Sequence, residues 1–269
     1  MRIAPCIAAL TLIACGPGRT TFARHPGSPT AFDRATADPK ALAVADKVIE
    51  AAGGAARWNG AKQLRWSQVV TLDGKEVIAG EQAWDRWNGR HHARARRSDG
   101  DIVVMRPLYE TGGSAFVDTG KTLRKIDSGT AESLAAARER FEFDTAVLFM
   151  SFLLEEPGTK LAYEAETKGD DGAPVDVLIV TFPKDPNRTA VFHVHVNRQT
   201  NMIDRLEIQK AGASSVERLG YSLKDWHDGG GIKFPGTLHN LGLQGEVITF
   251  KDLAVGSPDE DLFVPPAMM

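Results

Sequence analysis

Three turn signals in close succession constrain the fold of this chain more than any other feature. Asp73-Gly74, Asn88-Gly89 and Asp99-Gly100 each lie between segments that alternate apolar and polar residues, starting at Gln63. Asp-Gly and Asn-Gly pairs tolerate the positive φ that tight hairpin turns need, and alternation with a period of two is typical of half-buried strands. This region therefore predicts four antiparallel strands in an up-and-down meander.

Two-residue turns at all three positions would also fix the register of the meander. They place Glu81 opposite Arg96 and Asp85 opposite His92, so that opposite charges pair on one solvated face. The other face is then mostly small and apolar, and we expect it to be concave and covered. Its members are Val69, Ile78, Gly80, Trp84, Ala93, Ala95, Ile102 and Val104, with Gln82 and Arg97 among them. Leu64, Trp66 and Val70 fall on the charged face in this register, where they would need cover.

Further strands follow on the same criterion and bring the predicted total to about thirteen. Turn residues separate nearly all of them, including the glycine run at 229–231. The predicted strands cover 114–118, 122–126, 160–167, 175–182, 189–196, 202–209, 214–224, 232–241 and 246–253.

Helical periodicity occurs in two places. Lys40 to Ala52 has apolar residues at helical spacing and ends at Gly53-Gly54, which favours a helix stop. Between Thr130 and Glu155 we expect two helices, the second capped by Asp144 and apolar on every side from Ala146 to Leu154. A helix of that kind must be buried, and about nine residues are too few to cross a membrane.

These elements predict a mainly β protein with helices (α+β), in which a large curled antiparallel sheet is covered by a helical lid. A sheet of this size leaves a cavity that must be plugged or occupied. The candidate ligand-binding residues are those of the lid and of the covered face: Val69, Ile78, Trp84, Ala93, Ala95, Val104, Val147, Phe149, Met150 and Phe152.

The N-terminus has the layout of a secretory signal. Met1-Arg2 precedes an apolar stretch from Ile3 to Ala14, and Leu12-Ile13-Ala14-Cys15 resembles the bacterial lipobox, which is cleaved on the N-terminal side of the cysteine and whose cysteine becomes lipid-modified. We therefore expect a signal peptide at 1–14, a lipidated Cys15 with a flexible tether at 15–39, and a folded domain at 40–269. The alternative is ordinary cleavage nearby, with Cys15 unmodified or removed.

Cysteine placement limits the chemistry of the domain. The chain has two cysteines, Cys6 and Cys15, and both lie in this leader. A disulfide-stapled fold and a zinc–thiolate site are therefore excluded for residues 40–269.

Several motifs resemble the LolA/LolB superfamily of periplasmic lipoprotein-sorting and lipid-binding proteins over roughly residues 41–265. They are the helix followed by Gly53-Gly54, the hairpin at 195–206, the run Asp225-Trp-His-Asp-Gly-Gly-Gly-Ile-Lys-Phe-Pro235 and the tail Leu262-Phe-Val-Pro265. The resemblance implies an unclosed antiparallel half-barrel with a helical lid. It also implies capture of acyl chains or lipidated proteins beneath that lid, and the lipobox makes membrane-anchored LolB the closer analogue.

Little in the sequence predicts catalysis or nucleic-acid binding. A net charge of -3 provides no field that would attract nucleic acid. Nucleophile-elbow, Ser-x-x-Lys, His-Glu-x-x-His and phosphate-loop motifs are all missing, so we expect neither an enzyme nor a cofactor.

A few polar residues need their own interpretation. His193 and His195 share a strand face as metal ligands would, but we expect them to point to solvent because no Cys or close carboxylate accompanies them. The strip Arg90, His92, Arg94 and Arg96 is either a solvated face, partly neutralised by Glu81 and Asp85, or a surface for lipid headgroups or an acidic partner. Asp204 falls on the inner face by alternation, where it would need a partner.

Three functions remain open at this point. The first is a non-enzymatic lipoprotein of the cell envelope, on the outer membrane in preference to the inner, which binds a lipid or acyl chain. The second is a protein-interaction or envelope-sensor module with the lid packed permanently into the core. The third, an enzyme built on the strand of His193 and His195, would need a further ligand close in space.

Overall fold

A computed structural model describes residues 32–108, 111–183, 190–209, 218–257 and 259–264. Three α-helices and thirteen strands account for most of them. The helices are α1 (Pro39–Ala51), α2 (Ala55–Gly60) and α3 (Thr130–Leu153), and a short 3₁₀ helix covers Glu260–Phe263. The strands are β1 (Gln63–Leu72), β2 (Lys75–Asp85), β3 (Arg90–Ala95), β4 (Asp101–Pro107), β5 (Ser114–Asp118), β6 (Leu123–Lys125), β7 (Lys160–Lys168), β8 (Pro174–Thr181), β9 (Val191–Asn197), β10 (Ile203–Gln209), β11 (Arg218–Gly229), β12 (Ile232–Asn240) and β13 (Glu246–Gly256).

All thirteen strands form one antiparallel sheet, which confirms the predicted fold class. The order is β6-β5-β4-β3-β2-β1-β13-β12-β11-β10-β9-β8-β7, with β6 and β7 as its two edges. The sheet therefore does not close into a barrel. It consists of two meanders, β1 to β6 and β7 to β13, which α3 connects in sequence and the pairing of β1 with β13 joins in space.

Helix α1 forms because its start and its apolar stripe are both well defined. The carboxylate of Asp38 accepts hydrogen bonds from the backbone N–H of Lys40 (2.8 Å) and Ala41 (3.4 Å) and so caps the helix. A further hydrogen bond from the backbone N–H of Tyr163 (3.1 Å), together with these, holds the pKa of Asp38 below its ordinary value. The stripe, made of Ala41, Val44, Ala45, Val48 and Ile49, is buried. Phe32 also packs against the core, so the last residues of the predicted tether lie on the domain.

Two of the motifs that resemble LolA/LolB contact each other at the end of α1. The carbonyl of Ala52 accepts a hydrogen bond from the backbone N–H of Lys233 (2.8 Å). Gly53 lies so close to the β11–β12 turn that a Cβ built on it would be 2.0 Å from the carbonyl oxygen of Gly231. The two glycine motifs are therefore two sides of one backbone contact.

The predicted register of the first hairpin is wrong because β2 has one extra residue. The turn at Asp73-Gly74 is tight, since Leu72 pairs with Lys75, but the pairs then change from Thr71–Glu76 to Val70–Ile78. A β-bulge at Val77 therefore shifts the pairing of β1 by one residue, so each β1 residue beyond the bulge lies on the opposite face of the sheet from the one predicted. Val69 consequently lies on the opposite face from Ile78. On the inner face, which carries α3, lie instead Leu64, Trp66 and Val70, all buried.

The second and third turns are longer than predicted. Asp85 pairs with Arg90, not His92, because a four-residue loop separates β2 from β3. The Asp85 carboxylate stabilises this loop by accepting hydrogen bonds from the backbone N–H (3.0 Å) and the side-chain amide (2.8 Å) of Asn88. Glu81 likewise pairs with Arg94 in place of Arg96. Because side chains alternate between the two faces of a sheet, a shift of two residues leaves each residue on its predicted face. The inner face therefore carries Trp84, Ala93, Ala95 and Val104, as expected.

The two expected helices between 130 and 155 are one continuous helix of 24 residues, α3. Asp144 lies inside it and does not cap a second helix. Ion pairs with a spacing of four residues span the expected junction, Arg138 with Glu142 (3.2 Å) and Arg140 with Asp144 (2.7 Å). Glycine and proline are both missing from this segment, so nothing interrupts the helical hydrogen bonds.

The core lies between the inner face of the sheet and the second half of α3. Every residue from Asp144 to Leu153 is buried, as the apolar sequence predicts. No helix within the described part of the chain combines the length and apolarity that a membrane crossing requires.

Candidate functional site

Most of the predicted lid residues form the packed core beneath α3. Phe149 and Phe152 are fully buried, as are Val147 and Met150 to within 1%. The ring of Phe152 stacks on Trp58 with 4.7 Å between centroids, and Phe149 lies 5.3 Å from Trp58 and 5.7 Å from Trp66. Side chains of the protein therefore fill the space under this half of the helix.

A buried polar network lies within this aromatic core. The carboxylate of Asp144 is fully buried and accepts hydrogen bonds from Trp66 Nε1 (3.2 Å) and Gln82 Nε2. Its other oxygen lies 2.7 Å from Nη2 of Arg140. Burial outweighs these contacts and raises the pKa of Asp144 from 3.8 to about 6.

The network continues along the inner face from Gln82 to β4. Arg106 Nε donates to His91 Nδ1 (2.9 Å), so the opposite nitrogen, Nε2, carries the proton and donates to Gln82 Oε1 (2.9 Å). His91 is fully buried, and burial together with Arg106 lowers its pKa well below the ordinary value. His91 is therefore neutral and connects Arg106 to the amide that holds Asp144.

Part of the inner face is not covered by α3. Ile78 is 48% exposed, and Leu72 (37%) and Leu219 (44%) continue the same face on β1 and β11. We call this surface the open end. The hairpin residues Val77, Leu241 and Leu243 flank it and are exposed as well. On the two strands between Leu72 and Leu219, the inner face carries the polar residues Glu246 and Asn240. Exposed apolar side chains with a polar border make the open end a candidate binding surface.

The middle of α3 borders the open end. The ring of Phe143 meets Tyr221 with 5.3 Å between centroids, and Arg140 lies over the face of Phe143 at 5.3 Å. Burial and Glu246 raise the pKa of Tyr221, whereas Arg140 lowers it, so both charges act on the Tyr221 hydroxyl. Glu246 is paired across the sheet with Leu72 and accepts a hydrogen bond from Asn240 (2.8 Å). Arg140 is thus the cation at the inner border of the open end.

The predicted ligand-binding residues therefore separate into three groups. Trp84, Val104, Val147, Phe149, Met150 and Phe152 are buried in the core, Ile78, Ala93 and Ala95 are on the less covered part of the inner face, and Val69 is on the outer face. Cys15 lies outside the described residues.

The prediction that His193 and His195 point to solvent is wrong. His193 is 3% exposed, and its Nδ1 lies 2.6 Å from Glu164 Oε2. His195 Nε2 lies 3.5 Å from Glu207, which Arg205 and Arg218 also contact. These contacts cover the outer face of β9 and β10. Among the described residues no group of three His, Cys, Asp or Glu side chains could hold a metal ion.

Asp204 is not on the inner face. A β-bulge between Ile203 and Arg205 turns Ile203 into the core, and Asp204 accepts a hydrogen bond from Asn197 Nδ2 (2.8 Å). Burial raises the pKa of Asp204.

The basic strip is neutralised within the protein. Arg90 pairs with Asp85 and Glu260, Arg94 with Asp101 and Asp118, and Arg96 with Glu81. Its cations are already used by carboxylates of the same chain.

Sequence reasoning missed Asp144, His91 and Arg106 as one network. A signal existed for Asp144, because an acidic residue next to a segment of eight apolar residues and one serine, Ala146 to Leu154, is costly to bury without partners. Its partners could not be identified, since they lie on strands whose register depends on the bulge at Val77.

Comparison with known proteins gives structural neighbours only. No family model and no curated protein matches the sequence. A LolA superfamily protein from Nitrosomonas europaea is similar over 84% of this chain and 97% of its own, with 12% identity and a TM-score of 0.49. A domain from Vibrio parahaemolyticus, described as outer membrane lipoprotein-sorting, covers 83% and 96% with 11% identity and a TM-score of 0.47.

MucB from Pseudomonas aeruginosa, in its complex with MucA, has 17% identity over 85% of this chain and 62% of that chain, with a TM-score of 0.27. Values this low do not carry ligand or partner specificity from one protein to another. In the described residues thirteen antiparallel strands form a sheet that does not close, with a long helix across its inner face. The chain is thus similar at low identity to solved LolA superfamily structures, and the comparisons assign it to no family.

Proposed function

We propose that this protein is a non-enzymatic lipoprotein of the cell envelope that binds an acyl chain on the open end of its half-barrel. The observation that carries the proposal is the exposure of Ile78, Leu72 and Leu219 on the part of the inner face that α3 does not cover. Each CH₂ group buried there would contribute about 0.8 kcal/mol.

We propose the open end as the ligand site because the core beneath α3 is already packed with side chains. Phe149 and Phe152 occupy the space beneath the second half of α3, so an acyl chain could enter there only if these rings moved. The open end needs no such movement. Attachment of the protein to a membrane through Cys15, with the outer membrane preferred, would hold this surface near its lipid ligand.

Binding of lipid to the open end can be tested with a charge on the exposed inner face. The chain carrying Cys15→Ser is purified and examined by native mass spectrometry for stoichiometric lipid. We expect lipid to be retained, and Ile78→Asp to lower its occupancy at least tenfold, because a carboxylate would have to be desolvated against an acyl chain.

Val264→Asp is the matched control for this test. Val264 is 57% exposed, and its neighbour Phe263 packs on Arg90, where β3 begins, away from the open end. Lipid occupancy should be unchanged in this variant. A wild-type chain without bound lipid, which also fails to take up added lipid, would refute the proposal.

A second candidate function is supported by the same aromatic packing. If α3 is a permanent part of the core, the open end could instead bind an apolar segment of a partner protein in the envelope. The first experiment separates the two, because an interaction module would neither retain nor take up lipid.

A further inference from the structure

Arg140 stands out among the cations of the domain because its charge lies beside the proposed ligand surface. Its side chain is 23% exposed, it lies over Phe143, and its field acts on Tyr221. On the outer face, Arg90, Arg94 and Arg96 have ion pairs with carboxylates of the chain. Arg106 is the other arginine on the inner face described above, and it donates to the buried His91 and lies over Phe141.

The hydrogen bonds of Arg140 are incomplete. Nη2 lies 2.7 Å from Asp144 Oδ1, but this contact is an ion pair without good hydrogen-bond geometry, and Nε is buried with no hydrogen-bond partner among the described residues. An arginine can donate five N–H groups, and leaving buried donors unpaired is costly because they lose their hydrogen bonds to water. An acceptor from outside the chain would relieve this cost.

Asp144 is a weak internal counter-ion for Arg140. Its second oxygen already accepts from Trp66 and Gln82, and burial disfavours its charged form. The carboxylate of Glu246 near Tyr221 is engaged by Asn240 Nδ2. An incoming anion therefore competes with one carboxylate, whose second oxygen is already used by Trp66 and Gln82.

Resting on the proposed function, we propose that the ligand is an anionic amphiphile and that Arg140 binds its headgroup. The acyl chain lies along Leu72 and Ile78, and a phosphate or carboxylate at its end pairs with the guanidinium. Arginine suits this role because its planar fork binds such oxygens in two parallel hydrogen bonds.

Three probes test the assignment on the chain carrying Cys15→Ser. Dodecyl phosphate and dodecyltrimethylammonium share a twelve-carbon chain but have opposite head charges, and inorganic phosphate has the head alone. Isothermal titration below the aggregation concentration of each amphiphile measures the three affinities. We expect dodecyl phosphate to bind at least tenfold more tightly than the other two.

The variants then assign the preference to one side chain. Arg140→Gln should remove the tenfold preference, whereas Arg138→Gln should keep it, because Arg138 is more exposed and pairs with Glu142 on the same helix. Since Arg140→Gln leaves Asp144 without a counter-ion, the double variant Arg140→Gln with Asp144→Asn keeps the test valid if the single variant unfolds.

Each result decides the question. Equal binding of the two amphiphiles, or loss of the preference in Arg138→Gln, would overturn the role of Arg140 while leaving acyl binding intact. Binding of inorganic phosphate as tight as that of dodecyl phosphate would overturn the amphiphile assignment. If neither amphiphile binds the wild-type chain, the proposed function itself fails.

Discussion

Asp144 is an ionisable residue in the interior of the protein. It is fully buried among aromatic rings, yet it is held by Trp66, Gln82 and Arg140. A pKa raised from 3.8 to about 6 corresponds to about 3 kcal/mol of cost for the ionised form at neutral pH. The folded state therefore binds this proton more tightly than the unfolded state does.

The stability of the fold should depend on pH through this group. Because the pKa is raised in the folded state, the contribution of Asp144 to stability is largest below about pH 4 and falls as pH rises to about 6. We expect Asp144→Asn to remove this dependence. Urea unfolding of both chains between pH 4 and 8 measures it as the difference between their free energies of unfolding.

Other groups near the network must be considered in that experiment. Burial lowers the pKa of His91 well below its ordinary value, so His91 adds a pH dependence of its own, which is present in both chains. Burial lowers the pKa of Arg106 only to about 10, so Arg106 stays charged in this range. Asp85, Asp118 and Asp176 have lowered pKa values and act in the opposite direction in both chains, so the difference cancels them. A difference that does not change with pH would contradict the assignment.

At the scale of elements, the contact between α1 and the β11–β12 turn explains why two distant glycine motifs occur together. Gly53 has a φ of +121°, which is costly for residues with a side chain, and its Cα hydrogen faces the carbonyl of Gly231. Backbone hydrogen bonding between Ala52 and Lys233 continues the contact. The helix is thus fixed to the end of a hairpin.

Gly53→Ala should destabilise the protein by more than about 2 kcal/mol, because the new methyl group meets backbone that cannot move aside cheaply. Gly74→Ala is the matched control: its φ is +77° but nothing lies within 4 Å of the added Cβ, so we expect only about 1 kcal/mol. Chemical denaturation gives both values. Equal losses would mean that the close approach to Gly231 contributes nothing.

Most of the secondary-structure elements could be predicted from the sequence, but the register between the strands could not. Periodicity and turn residues gave the number of strands and the apolar character of α3, since both depend on local order. The register could not be predicted, because the bulge at Val77 and the loop held by Asp85 have no distinct local signal. Val69 was therefore assigned to the wrong face, and the buried network around Asp144 remained hidden.

At the scale of the whole molecule, the point where the N-terminal segment joins the domain sets how far the domain can lie from a membrane anchor. Arg34 bonds to Asp46 of α1 (3.2 Å) and pairs with Glu155 after α3, so the chain is already fixed on the domain before α1 begins. A membrane anchor at Cys15 would then be connected to the domain by about fifteen to twenty residues, enough for a reach of a few tens of ångströms.

Cys15→Ser should transfer the protein from the membrane fraction to the soluble fraction of the envelope. Mass spectrometry of the wild-type N-terminus should find a diacylglyceryl and acyl modification on this cysteine, because one lipid chain alone gives only reversible attachment. An unmodified mature N-terminus at another residue would instead support ordinary signal cleavage.

The pairing of β1 with β13 has a further consequence, for the order in which the protein folds. Every other neighbouring pair of strands is consecutive in sequence, so each meander can assemble from hairpins whose loops cost little entropy to close. The pairing of β1 with β13, which we call the seam, joins strands that are far apart in sequence, so it can form only when both meanders are present. We therefore expect local hairpins to form early and this seam to set the folding rate of the whole domain.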